Sequence, residues 1–489
     1  MKDYTFPDGF WWGGASADCQ YEGGFNEGGR GISTTDYVTN GSHTVPRQVT
    51  YITKDGQKGS SSFRTPIPEG AKGAFHEECY YPSHQAVDFY HHYKEDIKLL
   101  SEMNFNMYRF SICWARLFPT GMEEEVNEEG LQFYVNVVDE LRKYNIEPLV
   151  TICHDELPAY LADEYDGWSS RITIDSYLRL CKVLFETFKG KIKYWLTFNE
   201  LNLCKGYAMM GTHSTDPQTH YQAMHHAFVA SAYAVKMGKE MMPEAMFGNM
   251  YAMSMPYPLT PKPEDVLKTQ EIRRSGQFYY PDVMVKGFYP PYALKMLEKL
   301  GVTLKMEDDD LDMLRNYPLD FVGFSYYAST TVNKDTKVAL NGLSADRNPY
   351  LEATPWGWTI DPVGLRFVLN ELQDRYNKPL MIVENGMGEI DTFENNTVID
   401  DYRISYLQEH FRNMHAAIYE DGVNLIGYTM WAPIDLVSMG NVQLKKRYGF
   451  VYVDMDDVGN GTKKRYRKKS FEWIRKFYGS NGATLEEKE

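Results

Sequence analysis

The chain has 489 residues, 43% of them apolar and 15% aromatic, with a formal charge of −16. That is enough apolar material for a large core, and no global positive field exists to hold nucleic acid or an anionic membrane. A small anionic substrate gripped by a local group of cations is not excluded.

Short apolar runs alternate with amphipathic segments from end to end. A strand is predicted at 10–16, followed by a Gly/Ser/Thr-rich insertion at 38–75. A helix is expected over 83–103, where Val87, Tyr90, Tyr93, Ile97 and Leu100 recur at three- and four-residue steps. Strand 106–112, helix 127–144, strand 147–154, helix 173–189, strand 193–200, helix 221–241 and strand 246–253 follow. Further strands are expected at 320–327, 380–386 and 425–433, with a helix at 401–421 and a polar stretch at 439–464. Such alternation argues for βαβ units. Eight strand-like runs favour an α/β fold: one eight-stranded β/α barrel of the TIM type over residues 1–489, with long loop insertions.

The stretch Met1–Pro7 lacks the apolar run of a signal peptide, and no 18-residue apolar window exists, so a cytoplasmic protein is expected. Six cysteines without a C-x-x-C pair suit reduced, structural thiols. No H-E-x-x-H, P-loop or calcium loop is present, and the adjacent pairs His91-His92 and His225-His226 make poor chelates. Neither metal nor cofactor is expected. An acidic surface and long loops are compatible with a homodimer.

In a barrel of this kind, chemistry sits where the strands end. Glu200 closes the run Tyr194–Phe198 plus Asn199, and Glu384 closes Leu380–Val383. A carboxylate against apolar walls is costly unless paired or protonated. Two in one pocket suit a retaining glycosidase, whose carboxyls stand about 5–5.5 Å apart. The bland alternative is a pair of solvated strand-end acids. Gln20, His154, Asn199, Tyr327 and Trp431 at other strand ends argue against it.

These residues fall in a recognisable series. Phe6–Ala15 with Gln20-Tyr21-Glu22-Gly23, Tyr108–Ile112 with Trp114 and Arg116, Thr197-Phe198-Asn199-Glu200, and Ile382–Gly386 stand in order. Together they resemble the motifs of the family-one glycoside hydrolases, the retaining β-glycosidases, over nearly the whole chain. The resemblance implies Glu384 as nucleophile and Glu200 as acid, then base. It implies sugar contacts from Gln20, His154, Asn199, Tyr327 and Trp431, an aglycone platform at Trp358, and a charge near the nucleophile from Arg109. Tyr327 is expected to orient Glu384. Asn199 and Glu200 are adjacent, so they can meet one sugar only if the strand end is twisted or bulged.

The segment after the eighth run departs from the pattern. Ser438 and Met439 stand where members acting on plain glucosides carry Glu and Trp. A Glu there repels a phosphate on carbon six, whereas a Ser can donate to one. Lys445-Lys446-Arg447-Tyr448 follow. The pattern resembles the phosphate-binding loop of the 6-phospho-β-glycosidases and casts Ser438, Lys446 and Tyr448 as phosphate ligands. The expected substrate is a small phosphorylated β-glucoside, with Met439 favouring gluco over galacto configuration. The alternatives are a β-glucosidase, a 6-phospho-β-galactosidase, and a barrel that binds sugar phosphate without catalysis. Two further departures are Asp155, where an aromatic is usual, and Ser325, where Asn is common.

Overall fold

The computed structural model describes residues 3–42, 44–337 and 345–487. Eight parallel strands close a barrel: β1 (Trp11–Ala15), β2 (Met107–Ser111), β3 (Glu147–Cys153), β4 (Tyr194–Phe198), β5 (Met246–Ala252), β6 (Phe321–Tyr326), β7 (Leu380–Asn385) and β8 (Leu425–Trp431). Each strand pairs with its neighbours in sequence, and β1 pairs with β8 to shut the ring. Gly13 makes the β1–β2 contact possible, since a Cβ there would lie 2.0 Å from the Met107 carbonyl oxygen. Met107, Leu149, Tyr194, Leu196, Met250, Phe321, Met381 and Val383 fill one end of the interior. That end is sealed, so an open site can form only toward the strands' carboxyl ends.

Helices α1 (Phe89–Glu102), α2 (Glu128–Lys143), α3 (Ile172–Phe188), α4 (Pro217–Met241), α5 (Tyr279–Lys286), α6 (Pro362–Tyr376), α7 (Asp401–Tyr419) and α8 (Lys469–Gly479) cover the barrel. Local chemistry fixes their limits. In α2, Glu128 and Glu129 start the helix and Arg142 and Lys143 end it, each complementing the dipole. Its buried stripe is Phe133, Tyr134, Val137, Val138 and Leu141. In α6, the Asp361 carboxylate caps the Gly364 N–H at 2.7 Å, Pro362 takes the first turn and Asn377 closes the end in the left-handed region.

The segment expected to be helical over 83–103 starts its α-helix only at Phe89. Asp88 before it has φ +66°, which breaks the helical path. The helices Pro263–Ile272, α5, Pro291–Lys299, α6 and α8 were not foreseen. The 38–75 insertion contains a small antiparallel sheet, with Gln48–Ile52 between Lys58–Ser62 and Lys72–Gly73. Among the described residues, no helix is long and apolar enough to cross a membrane.

Candidate active site

A cavity of about 450 Å³ opens at the carboxyl ends of the strands. Glu200 and Glu384 both line it, as do Gln20, His154, Asn199 and Trp431. Tyr327, Trp358, Ser438 and Tyr448 complete that wall. Two of the expected site residues, Arg109 and Lys446, are buried against lining residues and not on the surface of the cavity itself.

Arg109 projects from β2 into the barrel and is fully buried. Its Nε donates to Thr151 on β3 at 3.0 Å, one Nη to Glu384 Oε1 at 2.5 Å and the other to Asn199 Oδ1 at 2.7 Å. One guanidinium therefore ties three strand ends together, a geometry a point-charge lysine cannot reproduce. Tyr327 donates its hydroxyl to the other Glu384 oxygen at 2.8 Å. Burial raises the Glu384 carboxyl above its ordinary range, while Arg109 and Tyr327 pull it back.

Glu200 sits differently. Its contact is a neutral donor, Ser325 Oγ, at 2.5 Å from Oε1. Burial first, then the charges of Glu384 and Asp155, push its pKa up to about 8. Ser325 is the register partner of Glu384 across β6 and β7, where a bulge between Phe324 and Ser325 shifts the pairing. The two carboxyls thus share one wall, yet one is paired with a cation and the other is kept protonated at neutral pH.

The adjacency of Asn199 and Glu200 finds its explanation in the backbone. Regular pairing in β4 stops at Phe198, short of the expected end at 200, and Glu200 has φ +33°. The chain turns there, so alternation no longer sends the two side chains to opposite faces.

His154 is buried, with its Nδ1 lacking a protein partner, and its ring stands 6.2 Å from that of Trp431. Burial, then the Arg109 charge, hold it well below its usual pKa, so it is neutral and offers one donor and one acceptor. Gln20 donates to the Val437 carbonyl at 2.6 Å, which anchors it beside the segment carrying Ser438. Asp155, with φ +58°, accepts from Asn199 at 3.2 Å. Burial raises its pKa to about 6.

The three cations Lys445, Lys446 and Arg447 do not act alike. Lys445 is exposed. Arg447 is buried against Asp435 at 3.2 Å and donates to the Val453 and Met455 carbonyls, so it is a structural anchor. Lys446 is only 2% exposed and has no carboxylate within ion-pair distance among the described residues. Its ammonium lies 3.5 Å from the Trp358 ring centroid and 5.5 Å from that of Tyr448. Burial lowers its pKa to about 7. Burial raises the Tyr448 pKa, and the nearby Ser438 hydroxyl opposes that rise. Gly388 keeps this corner open, since a Cβ there would lie 2.5 Å from Lys446 Cε. Arg403 clamps the turn from behind by donating to the Tyr448 carbonyl at 2.6 Å and the Met387 carbonyl at 2.8 Å.

Sequence reasoning missed Ser325 as a partner of Glu200, although alternation puts it on the same face as Tyr327. It also missed Arg403 and Gly388, whose roles depend on contacts between distant segments. Among the described residues one group could offer three metal ligands, Asp18, Cys113 and Glu156, with ligand atoms within 4.8 Å of one another. Hydroxyls already engage both acids: Ser111 donates to Asp18, and Ser33 and Thr35 donate to Glu156. Burial, then the neighbouring Asp18, push the Glu156 carboxyl well up.

The model of glycosyl hydrolase family 1 matches residues 2–63 and 70–483. The aryl-phospho-beta-D-glucosidase BglA of Bacillus subtilis is 44% identical, covering 98% of this chain and 100% of its own. The 6-phospho-beta-glucosidase AscB of Escherichia coli is 45% identical over 99% and 100% of the two chains. A family 1 b-glucosidase from Thermotoga maritima superposes with a TM-score of 0.80 at 29% identity, covering 99% of both chains. With the barrel, the two strand-end glutamates and a family model matched over nearly its full length, the chain belongs to glycosyl hydrolase family 1.

Proposed function

We propose that the chain, acting as one catalytic domain, hydrolyses 6-phospho-β-D-glucosides with retention, releasing glucose 6-phosphate and the aglycone. The observation that carries the phosphate is Lys446, a buried cation without a carboxylate partner among the described residues, beside the Ser438 and Tyr448 hydroxyls at the cavity wall. A phosphate dianion supplies the charge that such a site lacks. The names of the relatives, aryl-phospho-beta-D-glucosidase and 6-phospho-beta-glucosidase, support the same substrate class.

The chemistry follows from the unequal carboxyls. Glu384, held by Arg109 and Tyr327, attacks carbon one as the carboxylate. Glu200, protonated below about pH 8, delivers its proton to the glycosidic oxygen as the bond to the aglycone breaks. Once Glu384 is esterified its negative charge is gone, and one cause of the high Glu200 pKa goes with it. Glu200, now a carboxylate with one opposing charge removed, takes a proton from water. That water attacks carbon one, and the C–O bond to Glu384 breaks. Gln20, His154, Asn199 and Trp431 are the sugar contacts in this reading, and Trp358 faces the aglycone. A phosphorylated sugar and six free thiols suit a reducing cytoplasm.

The test is a matched pair, p-nitrophenyl β-D-glucoside with and without the 6-phosphate. A large preference for the phosphorylated compound is expected. Preference for the neutral compound makes the chain a β-glucosidase, and inertness toward both makes it a binding protein.

A further inference from the structure

The same cavity carries a second group of cations that the phosphate site does not use. Arg47 and Arg64 come from the 38–75 insertion, and Arg347 from the segment after β6. All three line the cavity, and none has a carboxylate within ion-pair distance among the described residues. Arg47 is the most telling. It is only 9% exposed, its guanidinium carbon stacks 3.4 Å from the Phe63 ring centroid, and one Nη is buried with no hydrogen-bond partner. A guanidinium left this way is costly unless something completes it.

Arg47, Phe63 and Arg64 border the turn that follows Ser438, sharing a smaller pocket with Gly440 and Asn441. The backbone at Arg64 and Thr65 packs against Gly206, in the segment that follows Glu200, and the Arg64 charge acts on Glu200 and Asp155. Arg64 is therefore on the side of Glu200, the acid assigned to the leaving oxygen, and Arg47 and Arg347 line the same cavity. With Glu200 protonated, Asp155 is the only acid among the lining residues on that side to set against three guanidiniums.

We propose that Arg47 and Arg64, with Arg347, form a second anion subsite that receives a carboxylate borne by the aglycone, with Phe63 holding the Arg47 guanidinium in place. A planar guanidinium matches a carboxylate bidentately, and its face away from Phe63 can take an aryl ring. The inference rests on the family-1 mechanism and on Glu200 as the acid.

The test compares 4-carboxyphenyl and 4-carbamoylphenyl β-D-glucoside 6-phosphates. The ionised carboxylate is no better a leaving group than the amide, so a preference for it reports binding. We expect kcat/KM to favour the carboxylate at least tenfold, R47Q and R64Q each to bring the ratio toward one, and added salt to shrink it. A ratio near one in the parent enzyme overturns the subsite, as does a ratio unmoved by both substitutions. Weaker inhibition of R47Q by glucose 6-phosphate, with both substrates impaired alike, reassigns Arg47 to the sugar phosphate and also overturns it. If the unphosphorylated glucosides prove the better substrates, the phosphate reading fails, and the same ratio measured on that pair still judges the arginines.

Discussion

Ser325 donates its hydroxyl to Glu200 Oε1 at 2.5 Å while its backbone stands in register with Glu384. The bond favours the carboxylate form of Glu200, so it works against the burial that holds the proton on. Removing it in Ser325→Ala raises the Glu200 pKa. The descending alkaline limb of kcat, measured with bound phosphate keeping Lys446 charged and expected near pH 8 in the parent enzyme, should move upward by on the order of one unit, since a hydrogen bond to a charged group is worth about 1.5–3 kcal/mol. A pH–rate profile of the variant checks this. An unmoved limb means that another group sets it.

Glu384→Gln should abolish turnover of activated and natural substrates alike. Glu200→Gln should spare the first step for a p-nitrophenolate leaving group, lose roughly a hundredfold or more on alkyl glucosides, and erase the alkaline limb of kcat. Azide should restore turnover by replacing the water that Glu200 no longer activates. Equal losses on good and poor leaving groups would refute the acid assignment.

Tyr327→Phe takes one donor from Glu384. The hydrogen bond lowers the Glu384 pKa, so its loss raises that pKa and moves the acid limb of kcat/KM to higher pH. The rate at the optimum should fall about tenfold to a hundredfold, the equivalent of one charge-assisted hydrogen bond. A fall in rate with an unchanged acid limb would mean that Tyr327 acts on the sugar and not on the nucleophile.

Lys446 ties affinity to stability. In the unfolded chain a lysine titrates near 10.4, whereas here burial brings it to about 7. The folded state binds fewer protons between those values, so stability rises with pH across that window, and the full cost of burial applies below pH 7. Lys446→Met should therefore raise Tm by about 1–3 °C at pH 6 and by less at pH 9. The same variant should raise KM for phosphorylated substrates at least tenfold. In the parent enzyme that KM should climb above pH 7, because phosphate binds the ammonium form. Calorimetry at the two pH values, beside KM measured across the range, checks both halves.

Much of the fold was legible because strand and helix periods survive in short windows. All eight barrel strands fall within one or two residues of the apolar runs that announced them. The helix start at Phe89 was not legible, because the left-handed Asp88 leaves no trace in hydrophobic spacing. The candidate site was readable where a residue ends a strand, as with Glu384 and Trp431. Lys446 was named, but that its neighbour Arg447 is buried against Asp435, while Lys446 itself lies under Trp358, depends on contacts between loops. Arg47 escaped notice because a Gly/Ser/Thr-rich insertion reads as solvent-facing, and nothing in its composition places one guanidinium on Phe63.

Arg403, Asp400, Asp391, Lys468, Asp435 and Arg447 form a buried lattice of charges beneath the turn that carries Lys446 and Tyr448. None of its members lines the cavity, so the turn keeps its shape whatever side chains it displays outward. Recognition of the distal sugar substituent is thereby uncoupled from the catalytic floor laid down by Arg109. On the proposed reading, exchanging a few residues at Ser438, Met439 and Lys446 is a short evolutionary route between charged and uncharged glycosides, open without redesign of the bond-breaking apparatus.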